Sequence, residues 1–272
     1  MSLLEVKNLF ITDTRTNKII VKNLSFKLKH DSCLGIVGES GSGKTMSVKG
    51  MLGITDPWFL VSGKVIFNGI NILEIKKEAI RKVRGRYISL ILQDASSAFD
   101  PLYTLGAQMK ETLCENLEIS KKEATLLSLE KLKKLNIKEP KQVLKKYPHQ
   151  LSGGMLQRCM VAITVALKPD VIIADEPTTA LDAISQSRMV STFQSLREQL
   201  NLSIIFISHD LGVIQQLAQD ILVMREGEKI EEGNIDKIFY YPEENYTKQL
   251  VLARRQLSCS FKKAVRGASF YD

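Results

Sequence analysis

The stretch GESGSGKT at residues 38–45 constrains this chain more than any other. It satisfies G-x-x-x-x-G-K-[S/T] and lies where that pattern can act: an apolar run at 33–37 precedes it and a helical segment from Lys44 to about Leu52 follows. A strand, a glycine-rich turn and a helix N-terminus, in that order, form a cradle of backbone N–H groups for phosphate. Glycines in the loop let the main chain approach an anion closely. Gly38, Glu39, Ser40, Gly41, Ser42, Gly43, Lys44 and Thr45 are therefore the expected nucleotide-binding residues. Lys44 reaches the β- and γ-phosphates, and the Thr45 hydroxyl is a ligand for Mg²⁺.

The rest of the chain reads as an α/β fold built around that loop. Two β-branched-rich segments, 4–11 and 19–28, flank the polar turn TDTRTNK and predict an antiparallel N-terminal β subdomain. Residues 65–67 and 88–92 are further strands, with Asn68-Gly69 as a turn. From about 95 to 153 the character is helical: Leu105, Met109, Leu113 and Leu117 recur every fourth residue, and a second amphipathic stretch covers 126–135. This predicts an inserted α-helical subdomain. Afterwards strands and helices alternate: helix 155–167, strand 171–174, helix 183–200, strand 203–207, helix 211–217 and a hairpin over 221–231. Alternation of this kind predicts a mixed, mainly parallel sheet covered on both faces. One nucleotide-binding domain is expected over 1–257. The tail 258–272 shows little periodicity and receives no assignment.

A second anion seat lies far downstream. In HQLSGGMLQR, Ser152, Gly153 and Gly154 stand just before an apolar helical run, so their N–H groups form another helix-start cradle. The strand VIIA at 171–174 ends in Asp175 and Glu176, the strand end at which ligand crevices form in open α/β sheets. Asp175 is expected to hold Mg²⁺ through water, and Glu176 to orient or deprotonate the water that attacks the γ-phosphate.

Composition narrows the remaining classes. With 44% hydrophobic and 25% charged residues the chain has globular composition. Its longest apolar runs are far shorter than the roughly 20 residues of a membrane span, and its N-terminus lacks secretory signal features. Cys33, Cys114, Cys159 and Cys259 are scattered, without a C-x-x-C pair, and read as thiols. The net charge of +8, with basic clusters at 81–86, 131–134 and 145–146, suits an anionic lipid leaflet or nucleic acid, although each cluster alone reads as a solvated face.

Taken together, these motifs resemble the ATP-binding subunits of ATP-binding cassette (ABC) transporters. LSGGM at 151–155 is similar to the family signature, Gln93 to its Q-loop glutamine, Ala180-Leu181-Asp182 to its D-loop, and His209 to its switch histidine. The resemblance spans about residues 3–252. It implies a P-loop ATPase core and a head-to-tail dimer with a second ATPase subunit. The signature residues Ser152, Gly153, Gly154 and Met155, with Asp182, would then complete a partner's ATP site in trans. It also implies that Gln93 ligates Mg²⁺ beside Thr45 and Asp175, and that His209 contacts the γ-phosphate, giving Lys44, Glu176 and His209 as the catalytic set.

Met155-Leu-Gln-Arg, SSAFDPLYTL at 96–105 and YYPEENYTKQLV at 240–251 resemble the peptide and nickel importer branch. That branch implies two membrane permeases, an extracytoplasmic solute-binding protein, a second and different ATPase chain, and a place on the cytoplasmic face of the membrane. The expected cargo is nickel or another transition metal carried as a chelate, with di- or oligopeptides as the alternative. An exporter ATPase and a soluble cassette acting on ribosomes or DNA are the remaining readings; one cassette without a long coiled-coil insertion argues against the last, and no nucleic-acid partner is expected. The aromatic residue that stacks on adenine in the family falls near Asp13 here, leaving Phe10 or another residue to supply the contact. Only Cys259 lies in the C-terminal segment where some relatives bind an iron–sulfur cluster, so no cluster is expected.

Overall fold

The computed structural model describes residues 2–179 and 182–268, with side chains described to Gln256. Strands β1 (Ser2–Asp13) and β2 (Lys18–Lys29) form the expected antiparallel pair, followed by β3 (Cys33–Val37) and α1 (Lys44–Met51). Strands β4 (Phe59–Phe67) and β5 (Ile70–Asn71), helix α2 (Lys77–Lys82), one π-helical turn (Val83–Tyr87) and β6 (Ile88–Ile91) come next. The helical insert contains α3 (Leu105–Leu117), α4 (Lys121–Lys134) and α5 (Pro140–Val143). The chain then runs through α6 (Gly153–Leu167), β7 (Val171–Asp175), α7 (Ala183–Leu200), β8 (Ser203–Ser208), α8 (Leu211–Leu217) and the hairpin β9 (Asp220–Arg225) and β10 (Glu228–Asn234). Helices α9 (Ile235–Tyr240) and α10 (Asn245–Ala268) finish it. Thus α10 crosses residue 257, the expected end of the nucleotide-binding domain; residues 269–272 lie outside the described residues.

Two sheets result. The first is antiparallel in the order β2-β1-β4-β5; the second runs β10-β9-β3-β8-β7-β6, parallel except for the β9–β10 hairpin. The second sheet is buried on both faces, which is why its strands read as unbroken apolar runs rather than alternating ones. Alternation still sorts the side chains. Ile205 and Ile207 of β8 pack with Leu34 and Ile36 of β3 in the core under the first sheet and α1, whereas Ile204 and Phe206 join the core under α6, α7 and α8. In that second core Phe206 meets Phe193 of α7 edge to face, with ring centroids 5.3 Å apart.

Strand β4 is longer than its sequence suggested. Ser62-Gly63 interrupts the apolar pattern, but Gly63 has φ +109 and packs directly on the Asn8 carbonyl, where a Cβ would clash; this is the irregular point in the β1–β4 register. The insert is organised as its periodicity predicts. Leu105, Met109 and Leu113 of α3 are fully buried, and α4 starts at a reciprocal capping box between Ser120 and Glu123. Helix α6 begins two residues before the expected Met155, because the Ser152 hydroxyl accepts the Met155 N–H and caps the helix at Gly153.

Candidate functional site

Strand β3 ends at Val37 in the middle of the parallel sheet, so the glycine-rich loop emerges at the carboxyl edge between β8 and β9. A side chain at Gly38 would collide with the Met224 carbonyl, and Gly43 sits at φ +95 as the cap of α1. Both positions therefore require glycine. No side chain caps α1, which leaves its first N–H groups for a ligand.

Lys44 is 5% exposed and curls back over the loop, its Nζ donating to the carbonyls of Gly38 at 2.7 Å and Glu39 at 2.9 Å. The same Nζ lies 3.8 Å from Glu176 Oε1. Burial lowers the pKa of this ammonium, while Glu176, Asp175 and Glu39 push it back up. The Thr45 hydroxyl donates to Asp175 Oδ1 at 3.1 Å, joining the start of α1 to the end of β7. Burial raises the Asp175 pKa; the Thr45 hydrogen bond opposes this, and neighbouring Glu176 adds to it.

Glu176 follows β7 with φ +46, a left-handed conformation that costs a non-glycine residue of order 1–3 kcal/mol. Its N–H is held by the Ile207 carbonyl at 3.0 Å, and Oε2 accepts from the Thr179 hydroxyl at 2.9 Å. His209 Nδ1 lies 3.1 Å from the same oxygen. The ammonium, hydroxyl, two carboxylates and imidazole thus converge from three loops at one sheet edge. All but Asp175, which sits behind the Thr45 hydroxyl, line a cleft of about 690 Å³ together with Gly38, Glu39, Ser40, Gly41, Ser42, Gly43 and Gln93. Three oxygen-bearing side chains, of Thr45, Asp175 and Gln93, are a hard donor set suited to Mg²⁺.

The second anion seat is elsewhere. Ser152, Gly153, Gly154, Met155 and Asp182 do not line this cleft; Ser152 and Gly153 are exposed, and a Cβ on Gly153 would meet nothing within 4 Å. Asp182 caps α7 by accepting the Ile184 and Ser185 N–H groups, both at 3.0 Å; the Ser185 contacts, its backbone N–H first, hold the carboxyl below the usual range. Ala180 and Leu181, the other two D-loop positions, lie outside the described residues.

Four lining residues escaped the sequence reading: Ile20, Met46, Thr179 and Leu250. Thr179 had a signal, three positions after Glu176 in the same turn, but Ile20 and Leu250 come from β2 and α10 and reach the cleft only through tertiary packing. Asp13 is buried and bound to Arg15, with Oδ2 accepting from Nη2 at 2.9 Å, and Arg15 covers Trp58 at 4.5 Å from its ring centroid. Phe10 is absent from the lining, so the apolar contact on the β2 side of the cleft is Ile20.

Comparison with known proteins identifies the family. The sequence profile of the ABC transporter family matches residues 21–179. The chain belongs to the ABC transporter family. It is an ATPase of that family, and the relatives it resembles are named as ATP-binding proteins of import and transport systems. It is 42% identical over 267 residues to the metal-staphylopine import system ATP-binding protein CntD of Staphylococcus aureus, covering 98% of each chain. It is 41% identical over 249 residues to the dipeptide transport ATP-binding protein DppD of Lactococcus lactis subsp. cremoris, covering 90% of this chain and 71% of that one. In solved structures, the ABC ATPase fold recurs in the cassette MJ0796, a dimer in a post-hydrolysis state bound to ADP and Pi. The likeness has a TM-score of 0.76 at 26% identity, covering 85% of this chain and 98% of that one. No helix among the described residues is long and apolar enough to cross a membrane.

Proposed function

We propose that this ABC ATPase energises import of a transition metal, nickel among the candidates, bound in a small organic chelate. The observation that carries this reading is the 42% identity to a metal-staphylopine import ATPase, which extends over 98% of both chains. The peptide reading has its own support in the 41% identity to a dipeptide transport ATPase over a shorter part of that protein. The ATPase subunit itself touches no cargo in either case. Two permeases, an extracytoplasmic binding protein and a second ATPase chain complete the system, with this subunit held on the cytoplasmic face of the membrane by the permeases.

At the site, the backbone of Gly38, Glu39, Ser40, Gly41, Ser42, Gly43, Lys44 and Thr45 wraps the ATP phosphates, and Lys44 exchanges its carbonyl and Glu176 contacts for phosphate oxygens. Thr45, Asp175 and Gln93 hold Mg²⁺, which when bound neutralises charge on the β- and γ-phosphates. Glu176 takes the proton of the attacking water, and Thr179 and His209 fix the orientation of its carboxylate. His209 also faces the γ-phosphate. The exposed seat at Ser152, Gly153, Gly154 and Met155, with Asp182, closes on the nucleotide of the partner ATPase. Its separation from the cleft of its own chain supports that division of labour.

Deleting the gene and measuring cellular uptake of chelated nickel, cobalt, zinc and iron beside short peptides tests the cargo. Metal-chelate uptake falls and peptide uptake does not; loss of peptide uptake alone would overturn the metal assignment.

A further inference from the structure

Residues Tyr246, Leu250 and Arg254 recur every fourth position of α10 and so share one helix face. Leu250 meets the nucleotide cleft directly, and Tyr246 and Arg254 touch residues next to it. The Glu39 N–H, at the start of the phosphate loop, donates to the Tyr246 hydroxyl at 3.1 Å, a hydrogen bond that spans more than two hundred residues of sequence. Leu250 lines the cleft itself. Arg254 lies 3.9 Å from Asp210, the residue after His209, and its guanidinium fills the space that a side chain on Gly212 would need.

This face is anchored at its N-terminal end. The Glu231 carboxylate accepts the Glu243 and Glu244 N–H groups at 3.0 and 3.2 Å where the chain enters α10. The Tyr246 ring is buried and lies beneath the Arg225 guanidinium, whose carbon is 5.0 Å from the ring centroid. Arg225 ends β9, the strand that flanks β3. The phenol is thus held from both sides before it reaches the loop.

We infer that this face of α10 is a wall of the nucleotide site and that Tyr246 is a positioning residue for the phosphate loop, an inference that rests on the ATP-site reading above. The Glu39 amide belongs to the loop whose N–H groups must converge on phosphate, and Gly38 and Gly41 on either side of it supply little rigidity of their own. A hydroxyl at a fixed point removes that freedom before ATP arrives, so less ordering remains for binding to accomplish.

The test is Tyr246→Phe in the full-length chain, which keeps the ring and its Arg225 contact and removes only the oxygen. ATP affinity, read by titration of a fluorescent ATP analogue with Mg²⁺, weakens between about two- and tenfold, the range of one net hydrogen bond. Lys44→Ala serves alongside. If Lys44→Ala loses nucleotide and Tyr246→Phe binds as tightly as the parent, the positioning role is wrong while the ATP site stands. If Lys44→Ala binds normally, the ATP-site reading itself fails. A purely packing role for Tyr246 would lower the melting temperature and leave ATP affinity unchanged. Amide hydrogen exchange of the unmutated protein gives a second readout that needs no variant. The Glu39 amide is protected before nucleotide is added, and exchange at the rate of an open loop amide would overturn the proposal.

Discussion

Replacing Glu176 with glutamine separates binding from chemistry at this site. The amide keeps the size of the carboxylate and an oxygen to accept the Thr179 hydroxyl, now 2.9 Å away, so the turn at φ +46 stays supported. The stability change should remain within about 0.5 kcal/mol. What disappears is the negative charge 3.8 Å from Lys44 and the base that takes the proton of water. Losing the charge frees Lys44 for phosphate, so ATP affinity holds or tightens. Losing the base removes a contribution of roughly 10²- to 10⁴-fold, which corresponds to about 2.7–5.4 kcal/mol of barrier. Phosphate release by the assembled transporter at saturating Mg²⁺ and ATP, with nucleotide affinity measured in parallel, tests both halves. Turnover within threefold of the parent would refute the assignment of Glu176 as base, and lost affinity would mean the carboxylate serves binding instead.

Two further outcomes follow from the same geometry. Ser152→Arg places a bulky cation on the exposed seat, so nucleotide binding by the isolated subunit stays nearly intact while ATP-driven pairing with the partner ATPase, read by size-exclusion chromatography, is lost. Asp175→Asn removes a carboxylate whose pKa burial has raised. Because the folded protein holds that proton more tightly than the unfolded chain, the charged group opposes folding as pH rises above the unfolded value. The variant should therefore melt at the same temperature or higher at neutral pH, by thermal scanning without nucleotide, yet lose Mg²⁺-dependent hydrolysis; a lower melting temperature would contradict the burial argument.

The legible parts of the sequence were those governed by local rules. The glycine-rich loop, Asp175 and Glu176 could be placed because each follows a short apolar strand, and the loop's chemistry resides largely in backbone and near neighbours. Helices α3, α4, α6 and α7 were legible from apolar spacing, and α6 was early by two residues because capping by Ser152 does not enter a periodicity. The missed parts depend on distance. The extent of β4 turns on a bulge at Gly63 against Asn8, Ile20 reaches the cleft through sheet pairing, and Leu250 reaches it, and Tyr246 the Glu39 amide beside it, through the docking of a C-terminal helix whose far end had no periodic signature. No spacing rule connects residue 246 to residue 39.

The claim that this ATPase powers uptake of a metal chelate is tested most directly by phosphate release from the reconstituted transporter in proteoliposomes as the binding protein is supplied loaded with nickel chelate, loaded with short peptide, or empty. The account predicts stimulation by the metal-loaded protein alone, abolished when this subunit carries Glu176→Gln. Stimulation by peptide alone, or equal rates with parent and variant, would contradict it.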